Sequence, residues 1–230
     1  MSDFQQEKKL VLEYFESIKN ANNENLIDTI TKYTSSNFKM RCTHPFNELS
    51  GAEEIGNNLW MPIKNSFTPI QRRMDIFYAG INSLDNQEGK WVTSMGHLMG
   101  VFNKSFFGIQ PNYKSVLLRY AEFYKVENNK ITEGAIFLDI MNFMQQLGLS
   151  VIPESTGLVC VTPGPMNHRG LKYKLSDDAE SQKTLELIHR MRDRLVKGSN
   201  MKSYKDELTL DWHDDMIWWG PGGIGASYTI

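Results

Sequence analysis

The residues of this chain that could do chemistry concentrate on one pair of strand-like runs. Tyr113 to Val126 is rich in β-branched and aromatic residues and carries charges at spaced positions, the pattern of a strand. Alternation places Glu122 on one face with Leu118, Tyr120 and Tyr124, and Arg119 and Phe123 on the other. If the first face lines a cavity, desolvation raises the pKa of a carboxylate among rings and suits it to general-base work. The plain alternative is a solvent-facing glutamate, or one paired with a lysine. Asp139 stands where the next strand, Ile131 to Leu138, hands over to a short helix closed by Gly148. An aspartate there is a standard N-cap for backbone amides, so capping is preferred to catalysis. His97 on the preceding long strand and His44 on an earlier loop could each reach a pocket mouth, although a lone histidine is more often structural. Tyr14 and Trp60 read as core or pocket wall. No histidine or cysteine pair has ligand spacing, so neither a metal nor a cofactor is expected.

Two further motifs are set aside on physical grounds. Gly220-Pro-Gly-Gly-Ile-Gly225 matches the dinucleotide fingerprint, yet that function needs a βαβ unit and an acidic residue about 20 positions on. Trp212-His-Asp-Asp215 puts a histidine beside two carboxylates, but sequence neighbours on a looping segment diverge, and a solvated polar loop is expected.

The elements that must position Glu122 follow from periodicity. Leu10, Val11, Tyr14, Phe15 and Ile18 predict a helix over about Phe4 to Lys19. A second short helix carries Leu26, Ile27, Ile30 and Tyr33, and Phe38 to Cys42 reads as a strand. Ser50-Gly-Ala-Glu53 fits a capping box ahead of a third helix lined by Ile55, Leu59 and Trp60, which Pro62 must kink. Two long strands, about Gln71 to Ser83 and Lys90 to Lys104, flank the hairpin loop Asp85 to Gly89. Gly96 and Gly100 predict bending or a bulge in the later strand. Glu127-Asn-Asn-Lys130 is the turn between the last two strands. The order α-α-β-α-β-β-β-β agrees with a curved sheet wrapped around three helices.

Tyr124-Lys-Val-Glu-Asn-Asn-Lys-Ile131, then Asp139 and Gln145-Gln-Leu-Gly148, together with the turn Gly108-Ile-Gln-Pro111, resemble the SnoaL-like polyketide cyclase family. This is a branch of the nuclear transport factor two-like superfamily, and the resemblance covers about residues 6 to 151. It implies an α+β, cystatin-like fold: a cone-shaped, curved antiparallel β-sheet around three helices, with a small-molecule cavity inside. The family's acid/base aspartate falls on Ile136 and its histidine partner on Glu122. An alkyl side chain cannot move a proton, whereas Glu122 can ionise. The implied function is binding of a mostly apolar, ring-containing small molecule, with cyclase, isomerase or hydrolase-type acid/base chemistry resting on Glu122; His97, read from its strand position, is a second catalytic candidate. The implied pocket is Tyr14, Trp60, Leu118, Tyr120, Tyr124 and Ile136. The alternative is a non-catalytic ligand-binding or assembly module that keeps the cavity and has lost the aspartate.

Bulk properties narrow the partners. A net charge of -2 without a long basic run gives no pull toward nucleic acid, and no apolar run could span a bilayer. The opening residues lack the apolar core of a signal peptide, and Cys42 and Cys160 make no disulfide framework, so a reducing cytoplasm is expected. A hydrophobic small molecule is the expected partner, with a homodimer, or contact with a missing second domain, beside it. After Leu149, Pro153, Gly157, Pro163, Gly164, Pro165 and Gly170 predict a linker over about 152–180. Residues 181–230 then read as a truncated second copy of the domain 1–151. A shift of 177 lays Val11 on Ile188, Tyr14 on Met191 and Ile18 on Leu195, as in a fragment of a longer tandem protein.

Overall fold

The helical spacing of the first segment becomes a buried stripe. In α1 (Gln5–Asn20) Leu10, Val11, Tyr14, Phe15 and Ile18 all face inward. Burying each large apolar side chain contributes about 1.5–3 kcal/mol, which holds the helix where propensity alone would not. This is a computed structural model, and it describes residues 4–83, 86–149, 152–154, 157, 168–197 and 203–228. Cys160, Asp85 and the Pro163 to Pro165 part of the expected linker lie outside the described residues. The described residues divide into two units, 4–149 with 168–174, and 152–157 with 175–228.

In the first unit α2 (Leu26–Tyr33) buries Leu26, Ile30 and Tyr33, and β1 (Thr34–Cys42) follows without a break. The strand thus begins at Thr34, ahead of the expected Phe38. After the short β2 (Glu48–Ser50) the third helix runs as α3 (Gly51–Ile55), a wide π turn (Gly56–Trp60) and α4 (Met61–Ser66). Pro62 explains the wide turn: it has no N–H to donate, and its ring would press on the carbonyl four residues back. The capping box needs correction. The Ser50 side chain makes no cap bond, and the Ser50 N–H donates to Glu54 Oε2 at 2.7 Å, so the returning carboxylate is Glu54 and not Glu53.

The remaining strands are β3 (Gln71–Asn82), β4 (Gly89–Val101), β5 (Ser115–Glu127) and β6 (Lys130–Leu138). They join β1 and β2 in one six-stranded sheet of order β2-β1-β6-β5-β4-β3. Every pairing is antiparallel except β1 with β6, which is parallel. Asn128 and Asn129, both at positive φ, close the β5–β6 turn as their chemistry predicts. Between Met74 and Ile76 the β3–β4 register slips by one residue. Asp75 is the extra residue, and it changes which side chains face inward. Before it Arg72 pairs with Leu98; after it Phe77 pairs with Ser94, so even and odd positions both reach the core. Gly96 permits this, because a Cβ there would lie 2.0 Å from the Arg73 carbonyl oxygen.

β3 is an edge strand, and residues 168–174 cover part of that edge. The Phe77 N–H donates to the Gly170 carbonyl at 2.8 Å, and the Lys172 N–H to the Phe77 carbonyl at 2.7 Å. Lys8 Nζ donates to the carbonyls of Lys172, Tyr173 and Lys174 at 2.9, 3.2 and 3.2 Å. Residues 168–174, within the expected linker, are therefore an arm of the first unit.

The second unit contains α6 (Asp178–Lys197), α7 (Tyr204–Leu208) and the hairpin β7 (Ile217–Trp219) with β8 (Ala226–Tyr228). Acidic residues open α6 and basic ones close it, matching the helix dipole. Leu185, Ile188 and Leu195 on its apolar stripe remain exposed. The Gly220 to Gly225 motif connects two strands, not a strand to a helix, which removes the dinucleotide geometry. Among the described residues no helix is long and apolar enough to cross a membrane.

Candidate functional site

Glu122 lies midway along β5, directly opposite Ser94 of β4 and Ile136 of β6. Its neighbours on the same face, Leu118, Tyr120 and Tyr124, are buried, and Glu122 itself is 0% exposed. Tyr14, Trp60 and Ile136 are buried as well, contributed by α1, the π turn and β6. The carboxylate is not alone there. Arg72 Nη1 donates to Glu122 Oε2 at 2.7 Å and Nη2 to Oε1 at 3.1 Å, a two-pronged pair. The guanidinium carbon stands 4.0 Å from the ring centre of Phe15, 4.6 Å from that of Tyr120 and 5.6 Å from that of Trp60. Arg72 is the residue that sequence reasoning missed.

The surrounding hydroxyls are mostly paired. Ser94 Oγ and Tyr120 Oη are 3.1 Å apart, and Trp60 Nε1 donates to Tyr14 Oη at 3.2 Å. The Tyr124 hydroxyl, buried on the same face, interacts with the Glu122 carboxylate. Burial pushes the Glu122 carboxyl up, and the Arg72 charge opposes that push. Burial works most strongly against the Arg72 charge, but Glu122 together with Tyr120 and Tyr124 outweighs it and holds the guanidinium more firmly protonated. Burial first, and then the Glu122 charge, push the Tyr124 hydroxyl well above its ordinary value. This interior thus pairs one buried carboxylate with one guanidinium among aromatic rings.

His97 does not join this group. It pairs across the sheet with Arg73 and Arg119, on the face opposite to Glu122. There it is buried, with Nδ1 3.3 Å from the carboxylate of the bulge residue Asp75. Asp139 caps α5 (Ile140–Gln146), its Oδ1 accepting from the Asn142 N–H at 3.0 Å, while Oδ2 meets Arg119 at 2.7 Å. His44 lies on the loop between β1 and β2. Two grooves open on the first unit, and neither is lined by Glu122 or Arg72. One, of about 540 Å³, is lined by polar residues including Glu7, Lys90, Glu127 and Asn128. The other, of about 520 Å³, lies on the outer sheet face between Tyr78, Trp91, Phe123 and Phe137. Among the described residues no three histidine, cysteine or acidic side chains are grouped to hold a metal ion.

Comparison with known proteins finds a family match over part of the chain and a likeness of fold. The chain matches the SnoaL-like polyketide cyclase family over residues 84–147. That SnoaL-like segment holds β4, β5, β6 and α5, and so the strand that carries Glu122. A candidate polyketide cyclase from Acidithiobacillus ferrooxidans superposes with a TM-score of 0.50 at 16% identity, covering 64% of this chain and 98% of that one. IdmH, a candidate polyketide cyclase from Streptomyces antibioticus, gives 0.48 at 13% identity over 61% of this chain and 97% of its own. An NTF2-like protein from Burkholderia thailandensis gives 0.45 at 14% identity, covering 62% and 97%. The Acidithiobacillus likeness is one of fold, and it agrees with the curved α+β sheet described above. No curated protein matches the chain.

Proposed function

We propose that the first unit is a SnoaL-like small-molecule-binding domain whose interior takes a mostly apolar, ring-containing ligand and presents Glu122 to it. The observation that carries this reading is the buried Glu122 carboxylate, set among Tyr120, Tyr124, Trp60 and Phe15 and met by one side chain, Arg72. A carboxyl raised by burial can accept a proton from a weakly acidic carbon and return it, the step that isomerase and cyclase chemistry share. The buried Tyr124 hydroxyl beside Glu122 supports the reading as a second polar group for an oxygen that gains charge in that step. Native mass spectrometry of gently purified protein is the test. A copurified apolar compound, lost from a Leu118→Trp variant that fills the interior, is the expected result. An empty protein that takes up no ring compound at millimolar concentration contradicts it.

A second reading is a module of the same fold that binds without catalysis. Ile136, buried beside Glu122 at the position that the resemblance assigns to the family's aspartate, favours it, since an alkyl side chain moves no proton. So does the two-pronged Arg72 contact, which occupies both Glu122 oxygens.

A further inference from the structure

Arg72 is bound inside the first unit as a ligand would be. Three ring faces surround its guanidinium, and a fully buried carboxylate takes both of its forward N–H groups. Ring faces carry the negative end of an aromatic quadrupole, so Phe15, Tyr120, Trp60 and Glu122 together make a cage of one electrostatic sign. Arg72 itself is attached to the rim. It is the second residue of an edge strand, its stem is long and flexible, and its side chain retains 11% exposure.

We propose that the cage is a cation site which Arg72 fills from within, and that the ligand of this interior carries a guanidinium, amidinium or alkylammonium group that takes its place. This inference rests on the small-molecule reading above and specifies the chemistry of the ligand. Exchange of one cation for another keeps Glu122 paired throughout. A neutral ligand that displaced Arg72 would strand a buried carboxylate, and an anionic one would meet repulsion from both Glu122 and the ring faces. The cage therefore selects for positive charge, and Arg72 acts as the competitor that weak binders fail to displace.

Chemical rescue tests this directly. Removal of the plug by Arg72→Ala leaves Glu122 unpaired and lowers the melting temperature. Methylguanidinium at millimolar concentration restores it, with a saturable rise of about 5 °C. The wild type and the double variant Arg72→Ala/Glu122→Gln show no such rise, because in one the cage is filled and in the other the carboxylate is gone. If Arg72→Ala does not fold alone, its refolding yield with and without methylguanidinium reads the same quantity, and equal yields overturn the proposal. Indole serves as the neutral ring probe. Stabilisation of Arg72→Ala by indole but not by methylguanidinium overturns the cation site and leaves the ring-binding reading standing. Failure of both probes contradicts both.

Discussion

Glu122 and Arg72 depend on each other, and the cost of removing one differs from the cost of removing both. Glu122→Leu strands a buried guanidinium and is expected to cost about 3–5 kcal/mol in urea unfolding. Arg72→Met combined with Glu122→Leu is expected to recover most of that loss, since apolar side chains of similar volume suit the ring-lined interior. A double variant as unstable as the sum of the singles would show that the pair is not coupled. Asp139→Ala removes the α5 cap and should cost about 0.5–2 kcal/mol. Asp139→Ser restores only part of it, because serine accepts from the Asn142 N–H but cannot pair with Arg119. Cys42 is a chemical non-participant: burial pushes its thiol up to about 12. Peptide mapping after alkylation at neutral pH should find Cys42 modified far more slowly in the folded protein than in urea. At this scale the inward placing of Glu122 was legible in the sequence, because strand alternation is local. Arg72 stayed hidden because its partner is 50 residues away and because the Asp75 bulge resets the parity of its strand. An arginine on the same parity as the inward-facing Met74 was the one available signal.

Among the elements, the β3–β4 pair carries most of the positioning. Its bulge needs the β3 backbone to approach Gly96, so Gly96→Ala must push the Arg73 carbonyl aside and shift the strand segment that holds Arg72. The expected outcome is lower stability together with changed intrinsic fluorescence, through movement of Arg72 near Trp60. Gly80→Ala, where nothing stands within 4 Å of the added Cβ, is the control and should change neither. The β5–β6 turn carries a pH signature. Thr132 Oγ1 donates to Glu127 Oε2 at 2.9 Å, and this bond, with Lys125 beside it, lowers the Glu127 carboxyl below the usual range. A lowered folded pKa means stability that is complete above the unfolded value and lost as pH falls through the folded one. Thr132→Val should move the Glu127 titration, followed by NMR, upward toward the ordinary glutamate range. Helices α1 and α2 and the long strands were legible because their periods are local. The early start of β1 and its parallel pairing with β6 were not, since both are set by contacts with residues far along the chain.

For the whole molecule, the chain matches the SnoaL-like family over residues 84–147, and the first unit supplies the arm 168–174 to its own β3 edge. Lys8→Met removes the ammonium that three carbonyls share, and limited proteolysis should then cut near Tyr173 faster than in the wild type. Equal cutting rates would show that the Phe77 backbone bonds hold the arm without Lys8. We further propose that the second unit repeats the opening of the first. Its support is the order α6-α7-β7-β8 beside α1-α2-β1-β2. The central claim concerns the interior of the first unit, and crystals exposed to a set of small ring compounds, some neutral and some cationic, test it most directly. The account predicts a compound lodged among Glu122, Tyr120, Tyr124 and Trp60, with Arg72 swung away from Glu122 toward solvent. Compounds seated only in the outer groove between Tyr78, Trp91, Phe123 and Phe137, with the Arg72–Glu122 pair intact in every case, would contradict it.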